Sequence, residues 1–419
     1  MNKPLEGVRV IDMSHVIAGP LASFFLAQLG AEVIKIESLN GGDAWRASKR
    51  AVSDGDTSHG FVSINSGKKS FAVDIRQPEG AEVVRELAKT ADVFIENFRP
   101  GVVAKYGLDE ASIRKLRSDI VYCSISGYGQ RGPWAKRAAY DNVMQALTGM
   151  MLMSGATNSP PMKVGFPVID VAAGMLGAMS VLSSLINRNN GGGGQYIDAS
   201  MLQASLMLMY PQVSQCLTHS TEPERTGNRG FGGSPLSDTF QCADGWLAVA
   251  ANTPAQVKRV LTLIGLLDLC EDTQAFDPQI FSAEGGGFVA PRDLNYVQDK
   301  ISAAFQNRSA NELEHSLNEI GVPAAKVRSL NEFLSEAKEI PELSSAFRSY
   351  PHGSNQVITS GLGFSVRENN NHINRGAPEL GEDTIEILVG LGLDSQNLKE
   401  LVRKGIIKVD HQVQEELSA

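Results

Sequence analysis

Residues 8–36 read VRVIDMSHVIAGPLASFFLAQLGAEVIKI, a strand pattern, a helix pattern and a second strand pattern in succession. The runs Val8–Asp12 and Ala31–Ile36 are short and rich in Val and Ile, which is typical of buried strands. Between them, Pro20 opens the apolar stretch Leu21–Leu29 and Gly30 closes it, as helices commonly begin and end. The pattern predicts two parallel strands joined by a crossover helix.

The same alternation continues through the first half of the chain. Further strand patterns cover residues 70–75, 92–98, 120–126 and 195–199, and helical patterns cover 78–91, 109–119, 141–154, 171–189 and 200–214. This order predicts an α/β fold in which the large domain is a doubly wound, Rossmann-like parallel sheet with helices on both faces.

The length of the chain predicts more than one domain. Its 419 residues exceed the roughly 250–300 residues that one hydrophobic core usually supports. The amino-acid composition becomes polar and glycine-rich near residues 219–234. Residues 239–250 then predict a hairpin with an Asp-Gly turn. We expect a large α/β domain over residues 1–215 and a smaller α+β domain over 216–335. A linker and C-terminal segment over 336–419 should return to the large domain.

Composition disfavours several classes of function. Lys and Arg number 38 and Asp and Glu 47, and the formal net charge of −9 opposes bulk binding to nucleic acid or an anionic membrane. The most apolar stretch, Met175–Ile186, is shorter than the roughly 18 residues of a membrane span, so a core helix is predicted. With no secretion signal, we expect a cytoplasmic protein whose cysteines are reduced and bind no metal: Cys123, Cys216, Cys242 and Cys270.

Two segments that follow predicted strands are candidate anion sites. The amides of His15–Pro20 either receive a phosphate at the start of the first helix or form an ordinary turn capped by Ser14. Asn97–Gly101 either supplies the Asn97 amide, the Phe98 ring and the Arg99 cation to a ligand, or is a solvated loop.

Gly127–Gly132 fits GxGxxG, but Pro133-Trp134 follows where a helix should begin, so a loop is predicted. Four cations are interpreted as surface charges: Lys68, Lys69, Arg76 and Lys105.

Asp170 admits two interpretations. It follows the uncharged run Val164–Ile169 and precedes a helix pattern that begins with Val171-Ala172-Ala173-Gly174. As an N-cap, its carboxylate would accept hydrogen bonds from the first turn of that helix. As a poorly hydrated carboxylate held at the partly positive end of the helix, it would be a usable nucleophile.

Taken together, these segments resemble the class III CoA-transferases, the CaiB/BaiF-type family of formyl-CoA:oxalate CoA-transferase, with α-methylacyl-CoA racemase as a related branch. The resemblance covers nearly the whole chain, and the order and number of the matching segments make it specific. The segments are Leu5–Asp12, Gly30–Glu37, Glu96–Gly101, Ser124–Gly129 and Ala377–Glu382.

The resemblance implies roles for particular residues. Asp170 corresponds to the nucleophile of the family, and Gly232 and Gly233 to a flexible loop that covers the acyl intermediate. Tyr140 stands where the racemase branch has a histidine, which follows the transferase pattern. The positions implied to bind CoA are His15, Val16, Ile17, Ala18, Val73, Asp74, Ile75, Arg76, Asn97, Phe98, Arg99, Lys105, Ala139 and Tyr140.

The activity implied by the resemblance moves CoA from an acyl-CoA donor to a small dicarboxylic acid through an aspartyl-CoA intermediate. It implies an interlocked homodimer and no metal or resident cofactor, with coenzyme A as a substrate. An ordinary Asp, with a pKa of about 3.9, would be anionic at neutral pH without the help of a base.

Departures from the family pattern leave the substrate open. Ile17 and Ser38 stand where formyl-CoA transferase has glutamine and arginine, which weakens the carry-over of formate and oxalate as substrates. Arg46 and His59 are candidates for binding the acceptor acid. Two alternatives remain: a 2-methylacyl-CoA racemase, which would move a proton, and a non-catalytic CoA-binding protein in which Asp170 is only a cap.

Overall fold

A six-stranded parallel sheet is built from the first half of the chain in the computed structural model, which describes residues 3–47, 57–230, 232–282, 287–365 and 373–409. Its strands are β1 (Arg9–Met13), β2 (Glu32–Glu37), β3 (Lys69–Ala72), β4 (Val93–Glu96), β5 (Val121–Ser126) and β6 (Tyr196–Ser200). Every neighbouring pair is parallel, in the order β3-β2-β1-β4-β5-β6. The expected α/β fold with a parallel sheet is confirmed.

The helices of this half of the chain differ from the prediction at several points, including a helix over His59–Asn65 that no pattern predicted and a division of the 200–214 pattern into two helices at Met209. They are α1 (Ala18–Gln28), α2 (His59–Asn65), α3 (Pro78–Lys89), α4 (Glu110–Leu116), α5 (Asp141–Leu147), α6 (Met150–Met153), α7 (Val168–Asn187), α8 (Met201–Leu208) and α9 (Tyr210–His219), with a 3-10 turn at Val103–Tyr106. Helix α1 begins before Pro20 because the first turn tolerates proline, which has no N–H. Helix α7 begins at Val168, not Val171. The pattern over 141–154 breaks at Gly149, whose φ is +83°.

The strand order reverses beside β1, since β2 and β3 lie on one side of it and the other strands on the opposite side. In open parallel sheets, ligands bind outside the carboxyl ends of the strands at such a reversal. Side chains from three elements, including Ile11, Val84 and Phe94, are fully buried in one apolar core that holds the strands in place. The fold therefore points to the carboxyl ends of β1 and β4 as the place to look for a site.

Ion pairs are buried near the carboxyl ends of β1 and β2. The pairs, with their N–O distances, are Lys68–Asp12 at 2.9 Å, Lys35–Asp43 at 2.9 Å and Arg46–Glu37 at 2.7 Å. The prediction of a surface charge at Lys68 is wrong, because its side chain is 0% exposed. Its partner Asp12 lies 56 residues earlier in the chain, so no local pattern reveals the pair.

The described residues form two compact units. The first draws on Met1–Met151, Lys163–Glu222 and Glu342–Ala419, and the second on Leu152–Met162 and Pro223–Pro341. Elements of the second unit are β7 (Ser237–Cys242), β8 (Gly245–Ala250), α10 (Pro254–Leu263), α11 (Leu294–Gln306), α12 (Ala310–Glu319), β9 (Ala324–Lys326) and α13 (Leu330–Lys338), with 3-10 turns at Leu267–Cys270 and Pro278–Phe281. Strands β7 and β8 form the predicted hairpin, and β9 adds a third antiparallel strand.

The C-terminal part contains a hairpin where the sequence predicts loops. Its elements are a 3-10 turn (Pro341–Ala346), β10 (Phe347–His352), β11 (Asn355–Ser360), α14 (Thr384–Gly390) and α15 (Ser395–Arg403). The hairpin has few apolar positions to signal it, since only Tyr350 and Val357 among its large apolar side chains are buried. The two predicted final helices are present. An isolated bridge between Ile407 and Val73 ties this part to the region beyond β3.

Helix α7 is long and apolar. Together with the π-helical turn that follows it, Val168–Gly192 has a length and composition that would suit a membrane span, and it is the one helix of the described residues to do so. Half of its most apolar window is buried. Met175, Met179 and Ile186 are exposed along it. The helix is thus part core and part apolar surface.

Candidate active site

A cavity of about 520 Å³ opens beyond the carboxyl ends of β1, β4 and β5. It brings together ten residues of the predicted site: His15, Val16, Ile17, Ala18, Asn97, Phe98, Arg99, Ala139, Tyr140 and Asp170. The wall is completed by residues that include Ala44, Val102, Ser126, Gly127, Arg137 and Met201. Residues from distant parts of the chain therefore meet here, at the reversal of the sheet.

The segment after β1 is fixed against the segment after β4. The His15 N–H donates to Asn97 Oδ1 at 2.9 Å, and Asn97 Nδ2 donates to the His15 carbonyl at 2.8 Å. The His15 ring lies 5.0 Å from the Phe98 ring, measured between centroids. Burial lowers the pKa of His15, so its imidazole is neutral at neutral pH. Asn97 thus shapes the cavity through its contacts with the backbone of His15.

Asp170 is partly buried in the first turn of α7, at the third helical position. The N-cap is Pro167, so the capping interpretation of Asp170 is wrong. Asp141, the first residue of α5, takes that role instead, because its Oδ2 accepts from the N–H of Ile169 at 2.7 Å and of Asp170 at 3.2 Å. Gln145 Nε2 donates to the other Asp141 oxygen at 2.5 Å, which fixes this carboxylate behind Asp170.

The environment of Asp170 changes its ionisation. Burial and the neighbouring carboxylate of Asp141 raise the pKa of Asp170 to about 7. Among the described residues, none donates a hydrogen bond to the Asp170 carboxylate. The expectation of full ionisation at neutral pH is therefore corrected, because a pKa of about 7 leaves much of Asp170 protonated there. A poorly solvated carboxylate that ionises near neutrality can act as a nucleophile or as a base.

A second cavity of about 270 Å³ shares Phe98 and Val102 with the first. Arg76 is exposed there and its Nε lies 2.8 Å from Asp74 Oδ1. Lys105 is exposed in the 3-10 turn and lines neither cavity. The predicted residues that line the second cavity are Val73, Asp74, Ile75 and Arg76, accompanied by Met13, Ile36, Glu37, Ser38 and Tyr106.

Arg46 and His59 line neither of these cavities. Arg46 is 5% exposed, and its Nε and Nη2 donate to the Glu37 carboxylate at 2.8 and 2.7 Å. The His59 ring faces His352, with centroids 6.3 Å apart. The structure therefore does not bring these two candidates to the region around Asp170.

Gly232 and Gly233 lie in the second unit. Gly233 has a φ of +72°, a conformation that glycine adopts without strain. At Gly232, an added Cβ would lie 3.0 Å from ring atoms of Phe288. Both positions therefore favour glycine for local reasons, and the covering role of this loop stays a prediction.

Several residues that line or support the site were not predicted as site residues from the sequence. Ser126 and Met201 had one available signal, since each lies where β5 or β6 ends, and the carboxyl ends of parallel strands meet at one edge. Arg137 lies in the loop after Gly127–Gly132 and is stacked on Trp134, with its guanidinium carbon 4.7 Å from the ring centroid. Asp141 has no local signal, because it acts on a residue 29 positions later in the chain.

Comparison with known proteins matches most of the chain to one family. The family model described as CoA-transferase family III matches residues 5–384. The chain is 32% identical over 369 residues to succinyl-CoA:glutarate CoA-transferase of Mus musculus, covering 81% of this chain and 84% of that protein. It is 30% identical over 425 residues to formyl-CoA:oxalate CoA-transferase of Streptomyces avermitilis, covering 97% and 100%. A crystal structure of a CAIB/BAIF family protein from Brucella suis aligns with a TM-score of 0.79 and 28% identity, over 93% of this chain and 100% of that one.

Proposed function

The chain belongs to CoA-transferase family III and is a CoA-transferase, and from this premise we propose that it transfers CoA to a small dicarboxylic acid through a covalent intermediate on Asp170. The observation that carries the proposal is the position of Asp170. It shares a cavity with nine of the residues expected to bind CoA, and its carboxylate has no hydrogen-bond donor among the described residues. That carboxylate is free to attack a bound thioester.

The transfer has two halves. The Asp170 carboxylate attacks the donor thioester carbonyl and the C–S bond breaks, which gives a mixed anhydride and the CoA thiolate. The thiolate attacks the aspartyl carbonyl, releasing the donor acid and leaving an aspartyl-CoA thioester. The acceptor carboxylate then attacks this thioester and expels the thiolate. Attack of the thiolate on the acceptor acyl group completes the new acyl-CoA and regenerates Asp170, with no net proton or electron transferred.

Two adjoining cavities suit an extended ligand such as CoA. Its thioester end would lie against Asp170, and its phosphates near Arg76 and Arg99, which line the two cavities. Contact between Lys105 and CoA stays a prediction of the resemblance. The Asp170 N–H already donates to Asp141, so it is not a free donor for the oxyanion that forms during each attack. The glycine loop at Gly232 and Gly233 is the proposed source of such donors.

The cavity cations favour a dicarboxylic acceptor. Arg99 and Arg137 both line the cavity of Asp170, and an arginine can pair with the second carboxylate of such an acid. Succinyl-CoA should be tested against glutarate, oxalate and mesaconate, with butyrate as the monocarboxylate control, and new acyl-CoA measured by mass spectrometry. The best dicarboxylate should react at least about tenfold faster than butyrate, because butyrate lacks the second carboxylate and would leave the arginine of the site without its partner. Equal rates with the dicarboxylates and with butyrate would contradict the proposal.

Rapid α-deuterium exchange into 2-methylacyl-CoA without CoA transfer would favour the racemase alternative.

The pH dependence of transfer should report Asp170. A carboxyl group with a raised pKa is protonated and non-nucleophilic below that pKa, so kcat/KM should fall about tenfold per pH unit below about 7. Asp141→Asn removes a negative charge and lowers the pKa of Asp170, so the inflection should move to lower pH. The measurement is kcat/KM for both proteins between about pH 5 and pH 9.

Glu96 provides the control for this pH profile. Burial raises the pKa of Glu96 to about 7 as well, and its Oε2 accepts from the N–H of Phe98 at 2.8 Å. Glu96→Gln should leave the inflection where it is in the wild type. An inflection that vanishes in Glu96→Gln and is unmoved in Asp141→Asn would contradict the assignment to Asp170.

The glycine loop should affect turnover more than CoA affinity. Alanine at Gly232 would press a Cβ against Phe288, and alanine at Gly233 would be strained at positive φ, so the double variant should hinder loop movement. We expect kcat to fall about tenfold with little change in the Kd of CoA. Gly265→Ala is the matched control, because its φ is +76° and nothing lies within 4 Å. Unchanged turnover in the Gly232→Ala/Gly233→Ala double variant would refute the covering role.

We also propose a cytoplasmic homodimer. The exposed apolar side chains Met175, Met179 and Ile186 on α7 would be covered by a second copy of the chain. Light scattering that gives only the 45.0 kDa mass of one chain would refute the dimer.

A further inference from the structure

The turn between β1 and α1 holds Val16 at a φ of +68°. Val16 and Ser220 are the two non-glycine residues of the described chain with positive φ, and a β-branched side chain makes this conformation especially unfavourable. Such a conformation persists only where surrounding contacts impose it. Because Val16 lines the cavity of Asp170, the strained residue is part of the wall of the site.

Side chains bind five consecutive backbone groups of this turn. The hydrogen bonds, in chain order, are Ser14 N–H to Asp12 Oδ1 at 3.1 Å, Lys35 Nζ to the Ser14 carbonyl at 2.7 Å, the two bonds between His15 and Asn97, and Val16 N–H to Asp43 Oδ1 at 3.0 Å. None of these bonds belongs to a helix or a strand. The path of the turn is therefore set by side chains from neighbouring parts of the fold.

Asp43 is the side chain that reaches the strained residue itself. Its Oδ1 accepts from the N–H of Val16 and, at 2.9 Å, from the N–H of Trp45. Its Oδ2 lies 2.9 Å from Lys35 Nζ, and the two side chains are 1% and 0% exposed. Movement of the carboxylate would deprive the buried Lys35 ammonium of its ion-pair partner, which is costly. The ion pair therefore anchors the Val16 N–H.

The start of α1 is also in close contact with the helix that carries Asp170. An added Cβ at Gly174 would lie 2.7 Å from the carbonyl oxygen of Ala18, so α1 begins against α7 one turn after Asp170. Since Ala18 is two residues after Val16, the direction of the chain at Val16 determines how the wall of residues 16–18 faces Asp170.

We propose that Asp43 is a positioning residue of the transferase site. Anchored by Lys35, it imposes the left-handed conformation of Val16 and so fixes the wall against which CoA binds. This inference rests on the proposed function in one respect, because it takes the cavity around Asp170 to be the CoA site. It assigns Asp43 no contact with the substrate.

Binding of coenzyme A tests the proposal, measured by titration calorimetry together with the thermal midpoint of each protein. Asp43→Ala is made alone and in a Val16→Gly background, and each is compared with its own parent. Glycine adopts positive φ without an anchor. Asp43→Ala should therefore weaken CoA binding by about tenfold or more alone, and by no more than about threefold in the Val16→Gly background. The thermal midpoint should fall equally in both, because Lys35 loses its partner in both.

A charge-neutral pair of variants replaces Asp43→Ala if that protein does not fold. Both variants lose the Lys35 bond to the Ser14 carbonyl, but Lys35→Met/Asp43→Asn keeps an oxygen that accepts from Val16 and Lys35→Met/Asp43→Leu does not, so the second should bind CoA more weakly than the first. Equal affinity in the two, or an equal loss for Asp43→Ala in both backgrounds, would overturn the positioning role. A wild-type protein that does not bind CoA would overturn the proposed site and this inference with it, whereas normal binding by every Asp43 variant would overturn the inference alone.

Discussion

Asp170→Asn is expected to lower kcat for CoA transfer by about 10³-fold or more, since a reaction that requires a covalent aspartyl intermediate loses several kcal/mol of transition-state stabilisation without the carboxylate. The amide keeps the shape of the side chain but cannot form the anhydride. The backbone N–H of residue 170 should still donate to Asp141, so the start of α7 is preserved. Steady-state kinetics with succinyl-CoA and titration with CoA measure the two effects separately.

Asp109→Asn is the matched control for this substitution. Asp109 caps α4 in the same unit, its Oδ1 accepts from the Ser112 N–H at 3.3 Å, and it lines neither cavity around the site. It should retain full transfer activity. Transfer by Asp170→Asn within about tenfold of the wild-type rate would contradict a covalent role for Asp170.

Lys68→Met is expected to lower the free energy of unfolding by about 3–5 kcal/mol, the cost of breaking a buried ion pair on one side. Lys68 Nζ donates to Asp12 Oδ2 at 2.9 Å, to the Pro20 carbonyl at 2.8 Å and to Asn65 Oδ1 at 2.8 Å. Although burial alone would raise the pKa of Asp12, the ammonium groups of Lys68 and Lys35 hold it below its usual range. Loss of Lys68 therefore leaves a buried carboxylate short of charge compensation. Denaturant unfolding measures the change.

Lys69→Met tests whether the large loss of stability expected for Lys68→Met is caused by the burial of the ion pair. Lys69 is the next residue of the chain and pairs with Glu32 and Glu386 at 2.8 and 2.7 Å, but its side chain is 21% exposed. Partly solvated pairs of this kind contribute at most about 1 kcal/mol. If Lys68→Met and Lys69→Met lowered the free energy of unfolding equally, burial of the Lys68–Asp12 pair would not explain its contribution to stability.

The parallel sheet could be predicted because each strand carries its own local signal. Runs such as Val8–Asp12 and Ala31–Ile36 are short, β-branched and bounded by helix starts and glycines, so their type and order follow from neighbouring residues. The hairpin of β7 and β8 was predictable for the same reason, through its Asp244-Gly245 turn. Where the signal was weak, as in β10 and β11, the prediction failed.

The electrostatics of the site could not be predicted, because they depend on pairs that are distant in sequence. Lys68 looks like a surface cation until the fold places it beside Asp12. Asp170 looks like a helix cap until Asp141 is found to supply the cap and to raise its pKa. In both cases the sequence singled out the residue, but it could not predict which distant residue would be its partner and determine its ionisation. The pKa of Asp170 is thus a property of the fold.

Trapping of the acyl intermediate tests the covalent role of Asp170 most directly. The protein is mixed with succinyl-CoA and treated with hydroxylamine, which converts an aspartyl anhydride or thioester into a stable hydroxamate, and the peptides are then analysed by mass spectrometry. The mechanism predicts modification of Asp170 in the wild-type protein, dependent on acyl-CoA, and none in Asp170→Asn. Continued transfer with Asp170 unmodified, or with the hydroxamate on another carboxylate, would contradict it.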